Sequence, residues 1–405
     1  MPTRTAQFTT IENDPRPYAW GTIDGVARVL GLPGSGGPEA ELWLGSHPSS
    51  PSRAAEPSDW ADLAEWETGT GRRLPFLLKV LCADSPLSLQ AHPTPEQARA
   101  GYDREDALGV PLDASDRNYR DRNAKPELIV ALSDGFEALC GFRPVPETLA
   151  AIDLLGAVDP LAPIGLPGAT AGAGEAARLR WRELLAGPDG VRRSLEWLLS
   201  GDPEVTALVA SVTAAAAADP ERFELANRLA AAYPGDPGIL VALMLNHVTL
   251  RAGESLWLPA GNIHAYLRGD GVELMGPSDN VLRGGLTPKH VDTAELARVL
   301  DFGTGPASKL VPVDLAPGVV SYRPRAVPSG RGVPFELIAV GGDAVLDLPG
   351  AAIAVVTDGA FALSSDGSSI DVPRGRAVFV ADAGRVRVSG AGRLFVATAP
   401  GAPTN

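Results

Sequence analysis

Pro86-Leu-Ser-Leu-Gln-Ala-His-Pro93 reads as a short strand closed by a proline. Strand side chains alternate between two faces. Leu87, Leu89 and Ala91 therefore share an apolar face, whereas Ser88, Gln90 and His92 share the other. The first face is built for burial. The second collects a hydroxyl, an amide and an imidazole, the donor types of half a metal site, and the other half must come from elsewhere in the chain.

Upstream, residues 74–83 (Leu-Pro-Phe-Leu-Leu-Lys-Val-Leu-Cys-Ala) form an apolar strand interrupted by Lys79. Lysine is almost never fully buried without a partner. Two readings stay open: an edge strand whose ammonium reaches water, or a cation projecting into a polar cavity. Downstream, Thr94 is placed to cap a helix running to residue 107, with Pro95 at its first position. Residues 117–132 pass from dense charge to an apolar strand, on which Lys125 and Glu127 share a face.

Residues 250–267 read as strand, tight turn at 259–262, and strand. Asn262, His264 and Tyr266 point one way, opposite Ile263, Ala265 and Leu267. Residues 271–290 then gather Glu273, Asp279, Arg283 and Lys289 among glycines and prolines, a composition of loops, where sites concentrate. His47, followed by a proline, is expected to order a turn, and His247 to lie on a surface strand. The glycine-rich run 31–37 lacks the Lys-Ser/Thr ending of a phosphate loop and reads as a surface turn.

These segments define three regions. Residues 1–145 and 237–304 form one discontinuous β domain, 146–236 a helical insertion, and 305–405 a C-terminal β domain. Helices are expected over 148–155, 176–185, 191–199 and 203–218, where Ala, Leu, Arg and Glu carry periodic apolar positions. In the last region, 373–384 echoes 251–261 with one extra residue, and Arg387 stands where the first copy has His264. The second β domain is thus expected to lack histidine ligands.

A chain of 405 residues has ample material for a large core. Its net charge of −14 argues against nucleic acid as a partner. The first residues contain no apolar segment resembling a signal peptide, and no run approaches the roughly 18 apolar residues of a membrane span. Cys82 and Cys140 fit no Cys-x-x-Cys spacing, so a reduced cytoplasmic enzyme is expected; separately, the chain is expected to act as a monomer. Only Lys79, Lys125, Lys289 and Lys309 are lysines, and the first three lie in the segments above. A local cluster of cations can still receive a small anion despite the acidic whole.

Gln90, His92, Glu127 and His264 offer two imidazoles, a carboxylate and an amide oxygen. Zinc accepts N and O ligands, and a catalytic site keeps a position open. Two ligands one residue apart on a strand, joined by one from a later strand, suit a β-barrel wall.

The motifs resemble those of the type I phosphomannose isomerases of the cupin superfamily. They comprise residues 18–21 (Tyr-Ala-Trp-Gly), 40–45 (Ala-Glu-Leu-Trp-Leu-Gly), 77–81, 87–93, 117–119 with 125–127 (Lys-Pro-Glu), 259–261 with 264–266, and 278–289. The resemblance covers roughly residues 8–300. It implies cupin-type jelly-roll β-barrels, one catalytic and one C-terminal, and one zinc per chain on Gln90, His92, Glu127 and His264. It further implies interconversion of mannose 6-phosphate and fructose 6-phosphate, an essential Arg283, and pocket roles for Lys79, Ser88, Lys125, Glu273, Asp279 and Lys289.

Aldose–ketose isomerisation passes through an enediol(ate), so it needs an electrophile for the developing oxyanion and a base for the proton. Lys125 and Arg283 are expected to support the oxyanion or the proton transfer. Glu273 and Asp279 are alternatives for the working carboxylate, and Lys79, Ser88, Lys289 and Arg283 are candidates to hold phosphate. Arg283 is claimed by two roles. Three departures from the family pattern stand out: Ala124 where many members have His before Lys-Pro-Glu, 275–278 (Met-Gly-Pro-Ser) in place of a run of small residues, and Ala19 in place of Asp. The competing readings are a cupin Fe(II) oxygenase, which a two-His, one-carboxylate site would suit, and a non-catalytic sugar-phosphate-binding protein.

Overall fold

The computed structural model describes residues 8–157, 168–324, 333–365, 367–381 and 384–399. It is mainly β with a helical insertion, as expected. Among the described residues the strands form two ten-stranded sheets. The first contains Glu41–Leu44, Leu77–Ala83, Glu127–Ala131 and the long strand His264–Met275, which pairs antiparallel with the second and third of these. The second is built from the C-terminal strands but also takes Phe8–Glu12, paired with Ala377–Val380. The N-terminal strand thus joins the sheet formed by the C-terminal strands.

Alternation organises the first sheet. On one face Leu42, Leu78, Val80, Leu128, Val130, Val272 and Leu274 enter a core shared with Leu337, Ile353, Val355 and Phe379 of the second sheet. One apolar layer therefore joins the two sheets. The opposite face carries rows set by the strand register: Trp43 beside Lys79, Lys79 beside Glu273, and Met275 beside Glu127. Side chains directly opposite across an antiparallel pair share a face, so this register collects the buried charges on the side away from the shared core.

The helical stretch follows the strand Phe136–Phe142 and precedes Leu245–Leu250. The helices Val145–Gly156, Gly168–Ala186, Gly190–Leu198 and Pro203–Ala218 overlap the four expected ones. Glu224–Ala232 and Gly238–Ala242 were not anticipated. The second is five residues long and buried throughout, so it shows no amphipathic period. Trp181, Leu195, Leu208 and Val209 of the helices share a core with Leu89, Ala91, Ile263 and Ala265. Leu89 and Ala91 are thereby backed by the insertion, whereas Leu87, expected on the same face, packs with Leu81, Ala83 and Tyr266 within the β wall.

Only Gln90–Ala91 of that stretch is a regular strand. The preceding residues are held by hydrogen bonds from Leu87 N–H to the Tyr266 carbonyl (2.8 Å) and from Leu89 N–H to the Gly285 carbonyl (3.0 Å). The following helix, Pro95–Ala107, starts as expected. Thr94 Oγ1 accepts the Gln97 N–H at 3.2 Å, and Gln97 Oε1 accepts the Thr94 N–H at 2.9 Å, a reciprocal capping box. No described helix is long and apolar enough to cross a membrane.

Candidate active site

Three of the four expected metal ligands converge as titratable groups. One ligand atom from each of His92, Glu127 and His264 lies within 4.8 Å of the others, and all three residues are buried. His92 Nε2 is 3.3 Å from Glu127 Oε1, and His264 Nε2 is 3.2 Å from Glu127 Oε2. Gln90, half-buried, stands directly opposite His264 in the sheet and opposite Arg283 on its other side. The register therefore puts its amide on the same face as the cluster.

The imidazoles are prepared as ligands. His92 Nδ1 lies 2.8 Å from the Asn280 carbonyl, and His264 Nδ1 lies 3.1 Å from the Asn262 carbonyl. A carbonyl only accepts, so each Nδ1 carries the proton and each Nε2 presents a lone pair. Both Nε2 atoms are buried without a hydrogen-bond partner. A buried polar atom without a partner is costly. Two of them aimed at one carboxylate fit a divalent cation that takes N and O donors. Burial holds His92 down to about 4 against the pull of Glu127, which keeps it neutral. Burial alone would raise the Glu127 carboxyl, but the neighbouring Lys125 ammonium foremost opposes it and holds the carboxyl low. Lys125 Nζ is 3.1 Å from Glu127 Oε1, the ion pair their shared face suggested.

Lys79 is a cation in a polar interior, so the edge-strand reading fails: its strand is paired on both sides and its ammonium is buried. Nζ lies 3.1 Å from Glu273 Oε2. Burial would lower this ammonium, yet Glu273, Glu41 and Glu127 reverse the effect and hold it well above the usual lysine range. Burial raises the Glu273 carboxyl, opposed by Lys79 and reinforced by Glu127 and Glu41. Its Oε1 accepts the Tyr266 hydroxyl at 2.7 Å.

Asp279 has a different setting. It is half-exposed, and its Oδ1 faces His47 Nε2 at 3.3 Å. The hydrogen bond from His47 is the main cause of its lowered carboxyl. His47 is thus more than a turn residue: it is buried, edge-on to Trp43 with centroids 4.8 Å apart, and its Nδ1 meets Ser49 Oγ at 2.9 Å. His247 is part of a half-exposed strand but contacts Glu137 at 3.1 Å. Arg283 is half-buried and Lys289 exposed. Burial lowers both, and Arg120 adds repulsion to each, so three cations face one region. Ser88 is half-buried.

Sequence reasoning missed the brace behind the ligands. Asn280 is fully buried; its Oδ1 accepts the Arg120 N–H at 2.7 Å, and its Nδ2 donates to the carbonyls of Asp121 and Asn123 at 2.8 and 2.9 Å. Ser278 Oγ reaches Asp121 Oδ1 at 2.9 Å. The triplet Ser278, Asp279, Asn280 therefore locks two loops together and sets the carbonyl that orients His92. Three consecutive short polar residues in a Gly/Pro-rich segment were the available signal. Glu41 and Arg120 were missed as well, one in a strand without clean alternation and the other in a run of surface-like charge.

Among the described residues the metal-ligating cluster consists of His92, Glu127 and His264, all from the first sheet or its flanking segments. The profile of the phosphomannose isomerase type I catalytic domain matches residues 9–145. Mannose-6-phosphate isomerase of Escherichia coli (strain K12) is 35% identical over 317 residues, which span 74% of this chain and 76% of that protein. The Salmonella typhimurium enzyme is 35% identical over 324 residues, 76% of this chain and 78% of that one. A crystal structure of mannose 6-phosphate isomerase in a zinc-bound holo form superposes with a TM-score of 0.81 at 30% identity, covering 97% of this chain and 99% of that one. A lysine-to-alanine mutant of the Salmonella typhimurium phosphomannose isomerase gives 0.82 with the same identity and coverage. With its motifs, its cupin-type fold and its cluster of His92, Glu127 and His264 all in agreement, the chain belongs to the type I phosphomannose isomerases.

Proposed function

We propose that the chain is a zinc-dependent aldose–ketose isomerase that interconverts mannose 6-phosphate and fructose 6-phosphate through an enediol(ate). The observation that carries this is the pair of buried, partnerless Nε2 atoms of His92 and His264 aimed at Glu127. Gln90 completes the ligand set from the neighbouring strand. Zinc bound there supplies a Lewis acid for negative charge developing on the sugar oxygens.

The protein's own groups handle the rest. A base takes the proton from C2 of the open-chain aldose; the electron pair becomes the C1–C2 double bond, and charge moves to O1. Return of the proton to C1, with transfer of the O2 proton to O1, gives the ketose. The buried pair of Lys79 and Glu273 suits the proton transfer, because it places a carboxyl raised by burial beside an ammonium 3.1 Å away. Lys125, beside the ligand carboxylate, and Arg283 stabilise the oxyanion. Asp279, ionised and half-exposed, suits opening of the sugar ring. The phosphate dianion is received by Arg283 and Lys289 with Arg120 near them, and by Ser88 on the adjoining strand. Lys79, already committed to Glu273, is better spent on chemistry than on phosphate. With Ala124 in place of a histidine, no step here depends on an imidazole at that position.

A coupled isomerase assay across several sugar phosphates, together with metal analysis, tests the reading. Purified protein should contain about one zinc per chain and lose turnover with chelator. His92→Ala should abolish both. Metal content and fructose 6-phosphate turnover that persist in that variant would sink the site assignment. Oxygen uptake with bound iron would favour the oxygenase instead.

A further inference from the structure

Lys79 sits between two buried carboxylates, and only Glu273 has so far been given a role. Nζ lies 3.1 Å from Glu273 Oε2 and 3.5 Å from Glu41 Oε1, and stands over the Trp43 ring at 5.1 Å from its centroid. Glu41 is itself held in place: its Oε2 accepts the Trp43 indole N–H at 2.8 Å. Glu41, Lys79 and Glu273 are 6%, 5% and 2% exposed, so one ammonium meets two carboxylates out of water. Burying charge is expensive, and an ion pair with Glu273 alone would satisfy the lysine. The second carboxylate is therefore surplus to folding and calls for another explanation.

The register supplies one. Trp43, Lys79 and Glu273 lie side by side on three adjacent strands, and Glu41 stands one step along on the first. An ammonium has three donors on a flexible stem. With Glu273 on one side and Glu41 and the indole on the other, two donors are directed and the third is left for a ligand. We propose that Glu41 is a positioning residue for isomerisation: it pins the Lys79 ammonium in one orientation against Glu273, so that the pair meets the sugar in a fixed geometry. This rests on the isomerase reading above.

The test is Glu41→Gln, which keeps the shape and an oxygen for the indole but removes the charge. The expected result is a fall of about tenfold or more in kcat, with KM changed by less than about twofold. Zinc content and thermal midpoint should stay near those of the parent. Trp43→Phe, which removes the indole N–H and leaves Glu41 charged, should lower kcat in the same direction but less. A kcat within about twofold of the parent in both variants overturns the proposal. So does a fall that tracks loss of zinc or of thermal stability. Should Glu41→Gln not fold, Trp43→Phe decides alone on the same criterion.

A second readout is independent of turnover. The chain has four lysines, so the Nζ resonances of 15N-lysine protein are assignable with Lys→Arg variants. Slow hydrogen exchange of the Lys79 ammonium should be lost in Glu41→Gln, and unchanged exchange overturns the proposal. If the parent protein fails to turn over either sugar phosphate, the isomerase reading falls, while this measurement still reports whether Glu41 holds Lys79.

Discussion

Each histidine of the cluster is fixed by a backbone carbonyl, and that makes the loops carrying those carbonyls part of the metal chemistry. Asn280 is the clearest case. Its carbonyl orients His92, while its side chain ties together the loops around residues 120–123 and 278–280. Outer partners of metal ligands set tautomer and ring angle, and losing them weakens metal binding by roughly 10–100-fold. Asn280→Ala should accordingly lower zinc affinity by about that factor, read by competition with a chelator, while far-UV circular dichroism stays close to that of the parent. An affinity equal to the parent's would show that the carbonyl is held without the side chain. At the same scale, Thr94→Ala removes one half of the capping box directly after the opening stretch and should cost about 1 kcal/mol in denaturant unfolding.

The element that does most to assemble the site is the strand His264–Met275. It pairs with Gln90 and Phe136–Phe142 at its start and with Leu77–Ala83 and Glu127–Ala131 towards its end. Its register shifts between Tyr266 and Arg268. A bulge exchanges the faces of the residues that follow it. Even-numbered His264 and Tyr266 can therefore share the site face with odd-numbered Glu273, and the hydrogen bond from Tyr266 to Glu273 confirms that they do. Gly269 makes the bend possible: its φ is +115°, and an added Cβ would stand 2.8 Å from the Phe136 Cα. Gly269→Ala should destabilise the protein by about 1–3 kcal/mol and lower turnover through the displaced Glu273. A variant with parent-like stability and activity would show that the strand bends without glycine.

At the scale of the whole molecule, two devices hold the parts in register. The first is the apolar layer shared by the two sheets, which makes the C-terminal region a scaffold for the catalytic wall. The second is Glu137, buried between the β wall and the insertion. Its Oε2 receives Arg228 of the helix Glu224–Ala232 at 2.6 Å and faces His247 at 3.1 Å, while its Oε1 pairs with Arg268. Burial alone would raise this carboxyl, but Arg228 foremost, with His247 and Arg268, holds it down to about 2. A carboxylate depressed in the folded state stabilises above its unfolded value and loses that contribution as pH falls towards its folded value. Glu137→Gln should therefore cost roughly 2–3 kcal/mol at neutral pH. The gap between parent and variant should narrow as pH drops from about 4.5 to 2. A gap independent of pH would mean that shape rather than charge joins the insertion to the wall.

What the sequence determined by itself was local and periodic. Alternation separated Leu89 and Ala91 from Gln90 and His92, though not Leu87, which packs in another core; proline and threonine announced the Pro95–Ala107 helix; motif chemistry picked out His92, Glu127 and His264. Each of these depends on residues a few positions apart, where backbone geometry leaves little freedom. Tertiary structure alone decided the rest. The pairing of Phe8–Glu12 with the far sheet spans hundreds of residues and leaves no local trace. Glu41 became a partner of Lys79 only because two strands set Trp43 and Lys79 side by side, and Glu273 joined His264 on one face only because a bulge broke the period of two. Burial then chose between readings that sequence left level: Lys79 came to lie between carboxylates instead of reaching for water, since a low-dielectric interior tolerates an ammonium only beside its counter-charges.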